Sequence, residues 1–595
     1  MEKTKKLLSN VKFLLSLAYK QDPVLLWLYF ATSLLGVVFM FAVFFGFKLL
    51  IDSLSPEYIA NPLFPPLIIL GSYLFFEYIS RFVYYTVNQY LLSYIIRSKF
   101  TNTLVSTFID KMASLDFASI EDSKVRNLIA KVQDSYSWRI PNILNSINYL
   151  INNIASVILS LLVALRFDVR YFIILTALSV PMYYIKIKYG SAGWSLYSSN
   201  SPLINKLWYL RGLFTNNTVM SEMKLYNLKD HFIKETKAIQ EKLLSDYQKP
   251  ILKYSFYSVF FSFFIPVAIY FPLRNIMGSF STGLYTVGDF TFLLNTLFNF
   301  STQLSNMLIN TGNIYEDGLF LNDYVDLLNI KNKVESKPHA HKITKPQTIQ
   351  FENVSFVYPG STSASLKNIN ITIHSGVNTA IVGENGAGKT TFIKLLLRFY
   401  DPTQGRILID GRDLRDIDLQ SWYTNFGVLF QNFNRYYVTL KENITIGDIK
   451  RNVSKEAIET VLREAQGHEL LTELPNGIDQ ILGKWFDEGQ DISTGQWQKV
   501  AIARALYRSA PYLILDEPTA NIDAEAEAAI FDNLIKQYKK RSLLFISHRF
   551  STVRHADNII VLHKGKIQAI GTHEKLLHQE GLYKKFFNLQ KRGYE

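Results

Sequence analysis

Hydrophobic and polar positions divide the chain near residue 320. Before that point, apolar runs of membrane-spanning length alternate with basic connections. Residues 5–19 set Leu7, Leu8, Val11, Phe13, Leu14, Leu15 and Leu17 beside lysines, which predicts an amphipathic helix lying at a membrane surface. Residues 24–47 carry no charge. Residues 63–76 are apolar and continue past Glu77 and Arg81, while residues 140–165 are uncharged but hold Asn142, Asn145, Asn148, Asn152 and Asn153. The stretch 171–185 is shorter and contains Pro181, a length that also fits a buried core segment; Lys186 and Lys188 can snorkel from its end. Residues 254–273 include Pro266 and Pro272, and residues 290–315 are uncharged but polar. The pattern predicts six transmembrane helices with long polar extensions. Beyond it, strand-length apolar runs alternate with helical patterns, as in an α/β domain.

Charge orients the spans. Lys3, Lys5, Lys6, Lys12 and Lys20 precede the first, residues 97–139 hold seven Lys or Arg, and residues 186–249 hold ten. Residues 52–61 have none, and the other intervening connections offer only Arg166, Arg170 and Arg274. The positive-inside rule then predicts a multi-pass protein of the cell membrane with both termini and the C-terminal domain in the cytoplasm. The same loops account for the formal net charge of +13, so no nucleic-acid partner is expected, and no motif for one is present. The N-terminus lacks the pattern of a removable signal peptide, and no leader-peptidase domain is expected before the membrane segment. With no cysteine, disulfides, thiolate metal sites and cysteine-peptidase chemistry are excluded.

The polar residues inside the spans have two readings each. Glu77 and Arg81, four apart, form a structural ion pair or mark a cargo path. The asparagines of the third span, with Asn295, Asn299 and Gln303 of the last, line a polar cavity or bond neighbouring helices.

The chemistry lies at Gly383, Glu384, Asn385, Gly386, Ala387, Gly388, Lys389 and Thr390, followed by Thr391. This run fits the phosphate-cradling P-loop at each fixed position, between the strand-like run 379–382 and a helical pattern. Backbone N–H groups and a helix N-terminus together favour a polyphosphate. Lys389 is expected to reach the β- and γ-phosphates, and the Thr390 hydroxyl to face Mg²⁺. A second apolar run, 512–515, ends in Asp516 and Glu517, placing two carboxylates at the carboxyl edge of a sheet. Asp516 suits Mg²⁺ binding from a second shell or through water, and Glu517 suits a general base that polarises the attacking water.

With these residues the chain resembles the ATP-binding cassette (ABC) transporters. Ile492-Ser493-Thr494-Gly495-Gln496 resembles the family signature, Gln431 the Q-loop glutamine, His548 the switch histidine, Ala520-Asn521-Ile522-Asp523 the D-loop, and Tyr358 the adenine-stacking aromatic. The resemblance implies ATP and Mg²⁺ as cofactors, with Gln431 touching the metal beside Thr390 and Asp516. It also implies His548 at the γ-phosphate, and Ser493, Thr494, Gly495 and Gln496 completing the site of an opposite subunit. The usual Ser-Gly-Gly of the signature reads Ser493-Thr494-Gly495, which brings a Cβ to a place of close backbone approach.

One ATPase domain per chain makes a half-transporter, with a transmembrane domain over 1–320, a linker over 321–346 and the cassette over 347–595. Fusion of the membrane domain to a C-terminal ATPase is similar to exporters. So are residues 115–122, which resemble a first coupling helix, residues 201–217 and 222–226, which resemble a second, and Val287-Gly288-Asp289. Residues 482–489 and Trp497-Gln498-Lys499 resemble exporters of ribosomal peptides such as lantibiotics, although the loop departs from the usual Gly-Glu-x-Gly and leaves Asp487 or Glu488 as its cross-subunit contact. The expectation is therefore ATP-driven export by alternating access in a homodimer within a lipid bilayer. The cargo is open: peptide, lipid or drug, with a regulatory, non-pumping ABC protein as the alternative.

Overall fold

The computed structural model describes residues 2–60, 63–133, 136–165, 167, 169–190, 201–278, 284–517, 529–531, 533–535, 541–547 and 549–592. The chain forms two compact units: Met1–Ser114 with Ser123–Ile330, and Leu115–Asp122 with Lys331–Glu595.

The first unit is helical. Glu2–Gln21 precedes Pro23–Asp52, whose start is fixed by Asp22: its side chain accepts from Leu25 N, and proline occupies the first turn, where its missing N–H costs nothing. Four helical stretches among the described residues are long and apolar enough to cross a membrane: Pro23–Asp52, Pro66–Ser114, Arg139–Val163 and Lys229–Gly278. The fourth and sixth expected spans form the helices Val169–Gly190 and Val287–Leu328, whose composition is more polar. A capping box begins the latter, with Thr286 and Asp289 exchanging side-chain-to-backbone bonds.

Three asparagines of this unit bond between helices. Asn148 Nδ2 donates to Asn88 Oδ1 at 3.1 Å, Asn152 Nδ2 to Ser33 O at 3.3 Å, and Asn299 Nδ2 to Ser156 Oγ at 2.8 Å. Where water is absent, an amide satisfied by a neighbouring helix holds the bundle together. Arg81 Nε meets Glu77 Oε1 at 2.6 Å, the ion pair that i,i+4 spacing favours. The helix carrying both passes into a π-helical stretch, Phe82–Leu92, which bears the bonded Asn88. The side chains of Lys186 and Lys188 lie outside the described set.

The second unit is α/β. Its strands are β1 (Thr348–Phe356), β2 (Leu366–His374), β3 (Thr379–Gly383), β4 (Gln404–Ile409), β5 (Arg412–Asp413), β6 (Phe426–Leu429), β7 (Tyr512–Asp516), β8 (Ser542–Ile546), β9 (Asn558–His563) and β10 (Lys566–Gly571). Among the described residues they make an antiparallel sheet, β2-β1-β4-β5, and a larger one, β10-β9-β3-β8-β7-β6, parallel except at β10. Strands β3, β7 and β8 are buried along their whole length, which explains their continuous apolar sequence.

Two cores flank the large sheet. One gathers Trp497, Leu506 and Phe545; the other gathers Phe392, Trp422 and Ile514, and Trp422 Nε1 donates to Leu396 O at 3.1 Å. β3 lies beside β8, and β8 beside β7, with Ile381 and Asp516 both opposite Ile546. This register brings the P-loop and the Asp516-Glu517 pair, distant in sequence, to one sheet edge. The short helix Phe117–Glu121 packs in this unit, with Ala118 in its core.

Candidate nucleotide site

β3 delivers the chain into the P-loop, and Lys389–Leu396 is the helix that follows. Two glycines need their freedom here. Gly386 has φ +78° and Gly388 φ +104°; a Cβ on Gly388 would meet Leu366 Cδ2 at 2.7 Å and Ser365 O at 2.8 Å. Lys389 is 7% exposed and donates to Gly383 O at 2.9 Å and Glu384 O at 3.0 Å, so the loop's own carbonyls hold the ammonium at the phosphate site. Burial pulls its pKa below the ordinary lysine range, against the upward pull of Glu517 and Asp516.

Asp516, at the end of β7, is 2% exposed, and burial with the neighbouring Glu517 pushes its pKa up to about 6. Thr390 Oγ1 lies 3.4 Å from Asp516 Oδ2. Gln431 Nε2 donates to Glu517 Oε2 at 2.7 Å. Glu517 holds φ +50°, a left-handed conformation uncommon outside glycine, anchored by its N–H donating to Ile546 O at 3.1 Å. The turn releases the carboxylate from the sheet direction at the point where β7 ends.

A cavity of about 560 Å³ is lined by Ser365, Asn385, Gly386, Gly388, Lys389, Thr390, Thr391, Gln431 and Glu517. The structure thus brings the P-loop, Gln431 and Glu517 to one space. Buried Asp516 beside the Thr390 hydroxyl offers oxygen donors of the kind that suit a hard cation such as Mg²⁺. Tyr358 stands nearby, its hydroxyl 3.1 Å from Thr391 Oγ1. Ser365, at the edge of β2, carries no motif, and only the fold places it here.

The signature residues do not line this cavity. Ser493 caps the helix Thr494–Tyr507 in a capping box, accepting from Gln496 N at 3.1 Å while Gln496 Oε1 accepts from Ser493 N at 2.9 Å. Thr494 is the first helical residue and is exposed, a backbone setting that a β-branched residue tolerates. Gly495 follows it in the first turn. Arg504, on the same helix, donates to Asn443 O at 2.8 Å and Asn434 O at 3.1 Å, bracing the segment after Gln431. His548, Ala520, Asn521, Ile522 and Asp523 lie outside the described residues.

A P-loop ATPase domain joined to helices able to cross a membrane is the layout of an ATP-driven membrane transporter. The profile of the family described as ABC transporter matches residues 366–520. The subtilin transport ATP-binding protein SpaT of Bacillus subtilis is 31% identical over 477 residues, covering 80% of this chain and 77% of the relative. The nisin transport ATP-binding protein NisT of Lactococcus lactis is 28% identical over 80% of each chain. An ATP-dependent lipid A-core flippase of Syntrophus aciditrophicus is 37% identical over 50% of this chain and 49% of its own. In fold, the chain matches a solved bacterial Atm1-family ABC exporter with ATP bound at a TM-score of 0.78 and 22% identity, covering 96% of this chain and 100% of that one. This chain belongs to the ABC transporter family: it is a membrane exporter whose nucleotide-binding domain couples ATP hydrolysis to transport.

Proposed function

We propose that two copies of this chain form an exporter that moves a peptide outward across the cytoplasmic membrane by alternating access. In this reading residues 1–320 are the transmembrane domain with six spans, 321–346 the linker and 347–595 the cassette, and both termini lie in the cytoplasm. The observation that carries it is the meeting of Lys389, Thr390, Gln431 and Glu517 around one cavity beside buried Asp516.

Each residue has a distinct task. The P-loop amides and Lys389 hold the phosphates, and Tyr358 offers its ring to the base. Thr390, Asp516 and Gln431 would hold Mg²⁺, which would supply charge neutralisation of the phosphate oxygens. Glu517 accepts the proton of the attacking water, and Gln431 orients the Glu517 carboxylate through its 2.7 Å bond. His548 contacts the γ-phosphate and holds that water in register. Ser493, Thr494, Gly495 and Gln496 of a second copy close the site, which accounts for the place of these four outside the cavity of their own chain, and Asp523 acts beside them. Because one chain carries every one of these residues, a homodimer suffices.

Peptide cargo is favoured by the extent of likeness: the relatives named for subtilin and nisin transport match over 80% of this chain, the lipid flippase over 50%. Replacing Glu517 with Gln should leave ATP binding intact and nearly abolish phosphate release, trapping a closed dimer; wild-type turnover would remove the general-base role. Uptake by inverted vesicles then distinguishes cargo. Accumulation of lantibiotic-type peptides supports the reading, and movement of labelled lipid alone turns it to a flippase.

A further inference from the structure

Leu115–Asp122 is folded with the ATPase unit although its sequence neighbours are not, and the residues that hold it there also touch the expected base site. Lys394 joins the two. It lies four residues after Thr390 on the P-loop helix, and its Nζ is 3.2 Å from Glu121 Oε1. The same ammonium stands 5.0 Å from the ring centre of Phe117 and 5.5 Å from that of Tyr358. Tyr400 completes the cluster: its hydroxyl donates to the Glu121 carboxylate, and its ring meets Tyr358 edge-on at 5.5 Å. Phe117 is stacked on Phe399 at 4.8 Å.

We propose that the Lys394–Glu121–Tyr400 cluster makes Leu115–Asp122 sense the base of the nucleotide, separately from its phosphates; this rests on the assignment of Tyr358 as the base-stacking residue. The physical step is desolvation. A base on Tyr358 excludes water from the ring and from the cation beside it, so the Lys394–Glu121 pair operates in a lower dielectric and strengthens. A triphosphate without a base fills the P-loop at the other end of the helix and leaves Tyr358 and Lys394 hydrated. Lys394, Glu121 and Tyr400 are positioning residues, not catalytic ones.

Hydrogen–deuterium exchange on the full chain in lipid nanodiscs, carrying Glu517→Gln to prevent turnover, tests this with two ligands: Mg²⁺-ATP and Mg²⁺-tripolyphosphate, both saturating. ATP should slow exchange of the 115–122 amides on the order of tenfold relative to tripolyphosphate, a typical coupling between sites. Glu121→Gln and Lys394→Met should erase that difference while ATP still binds, and Lys394→Arg should keep it. Equal protection by both ligands, or an undiminished difference in Glu121→Gln, overturns the inference. ATP affinity is measured alongside in Tyr358→Ala. An affinity indifferent to that substitution defeats the base-stacking assignment itself, whereas a Tyr358-dependent affinity with no ATP-specific protection defeats only the cluster's role.

Discussion

Replacing Asp516 with asparagine separates what the site costs the fold from what it does for the metal. This carboxyl is 2% exposed, and burial with the neighbouring Glu517 pushes its pKa from the ordinary 3.8 up to about 6. A raised carboxyl pKa means that the folded chain binds its proton more tightly than the unfolded chain. Stability from this group is therefore full at low pH and is lost as pH rises through the window from about 4 to about 6. At neutral pH the ionised aspartate should cost the folded cassette about 3 kcal/mol, at about 1.4 kcal/mol per tenfold in proton affinity. Asparagine keeps the shape and discards the charge, so Asp516→Asn should raise the melting temperature of the nucleotide-free protein at pH 7.5 by several degrees, at about 2–4 °C per kcal/mol for a domain of this size. At pH 4.5 the folded carboxyl is mostly protonated while the unfolded one is still largely ionised, so the gap should narrow to about a third. Added Mg²⁺-ATP should stabilise the wild type more than the variant, which lacks the carboxylate proposed for the cation. Scanning calorimetry at both pH values, with and without Mg²⁺-ATP, reads all of this. A variant that melts below wild type at pH 7.5, or keeps its advantage undiminished at pH 4.5, would refute the argument that burial and Glu517 load this carboxyl. The same proton competes with the metal, so Mg²⁺-dependent ATP binding should weaken as pH falls below about 6.

Two other outcomes are expected. Tyr358→Ala should raise the Kd for ATP by roughly five- to 150-fold, the equivalent of about 1–3 kcal/mol of base stacking, and should leave tripolyphosphate binding unchanged; equal losses for both ligands would mean that the tyrosine supports the P-loop instead. Purified chain should hydrolyse ATP as a dimer with no second protein, and co-assembly of Ser493→Ala with Lys389→Ala subunits should yield mixed dimers in which one composite site is intact; activity that appears only with a different subunit would contradict the homodimer.

The glycine spacing from Gly383 to Gly388 and the Asp516-Glu517 pair were legible in the chain because their chemistry is local. A loop that must turn around a phosphate needs left-handed backbone at Gly386 and Gly388, and no distant residue alters that requirement. The apolar runs and the basic loops likewise announced a membrane protein, since transfer into hydrocarbon is a sum over one segment. The asparagines were ambiguous for the opposite reason. Whether Asn148 or Asn152 faces a cavity or a neighbouring helix depends on Asn88 and Ser33, residues of other helices that no periodicity identifies. The expected span 290–315 lies within the longer helix Val287–Leu328, whose polarity shows how composition alone underdetermines the role of a helix packed among others.

Tertiary structure alone decided that Thr390 and Asp516 meet, through β8 lying between β3 and β7 in a parallel register. It decided that Thr494 opens a helix at the surface, where its Cβ is tolerated. It also decided that Glu121 belongs with Lys394 and Tyr400, more than two hundred residues away. The sequence by itself determined the family, the phosphate-binding loop and the acid at the end of β7, because each is written in contiguous residues. The pairings that load Asp516, brace Gln431 and bind Leu115–Asp122 to the ATPase arise from long-range burial, and burial is a property of the folded chain.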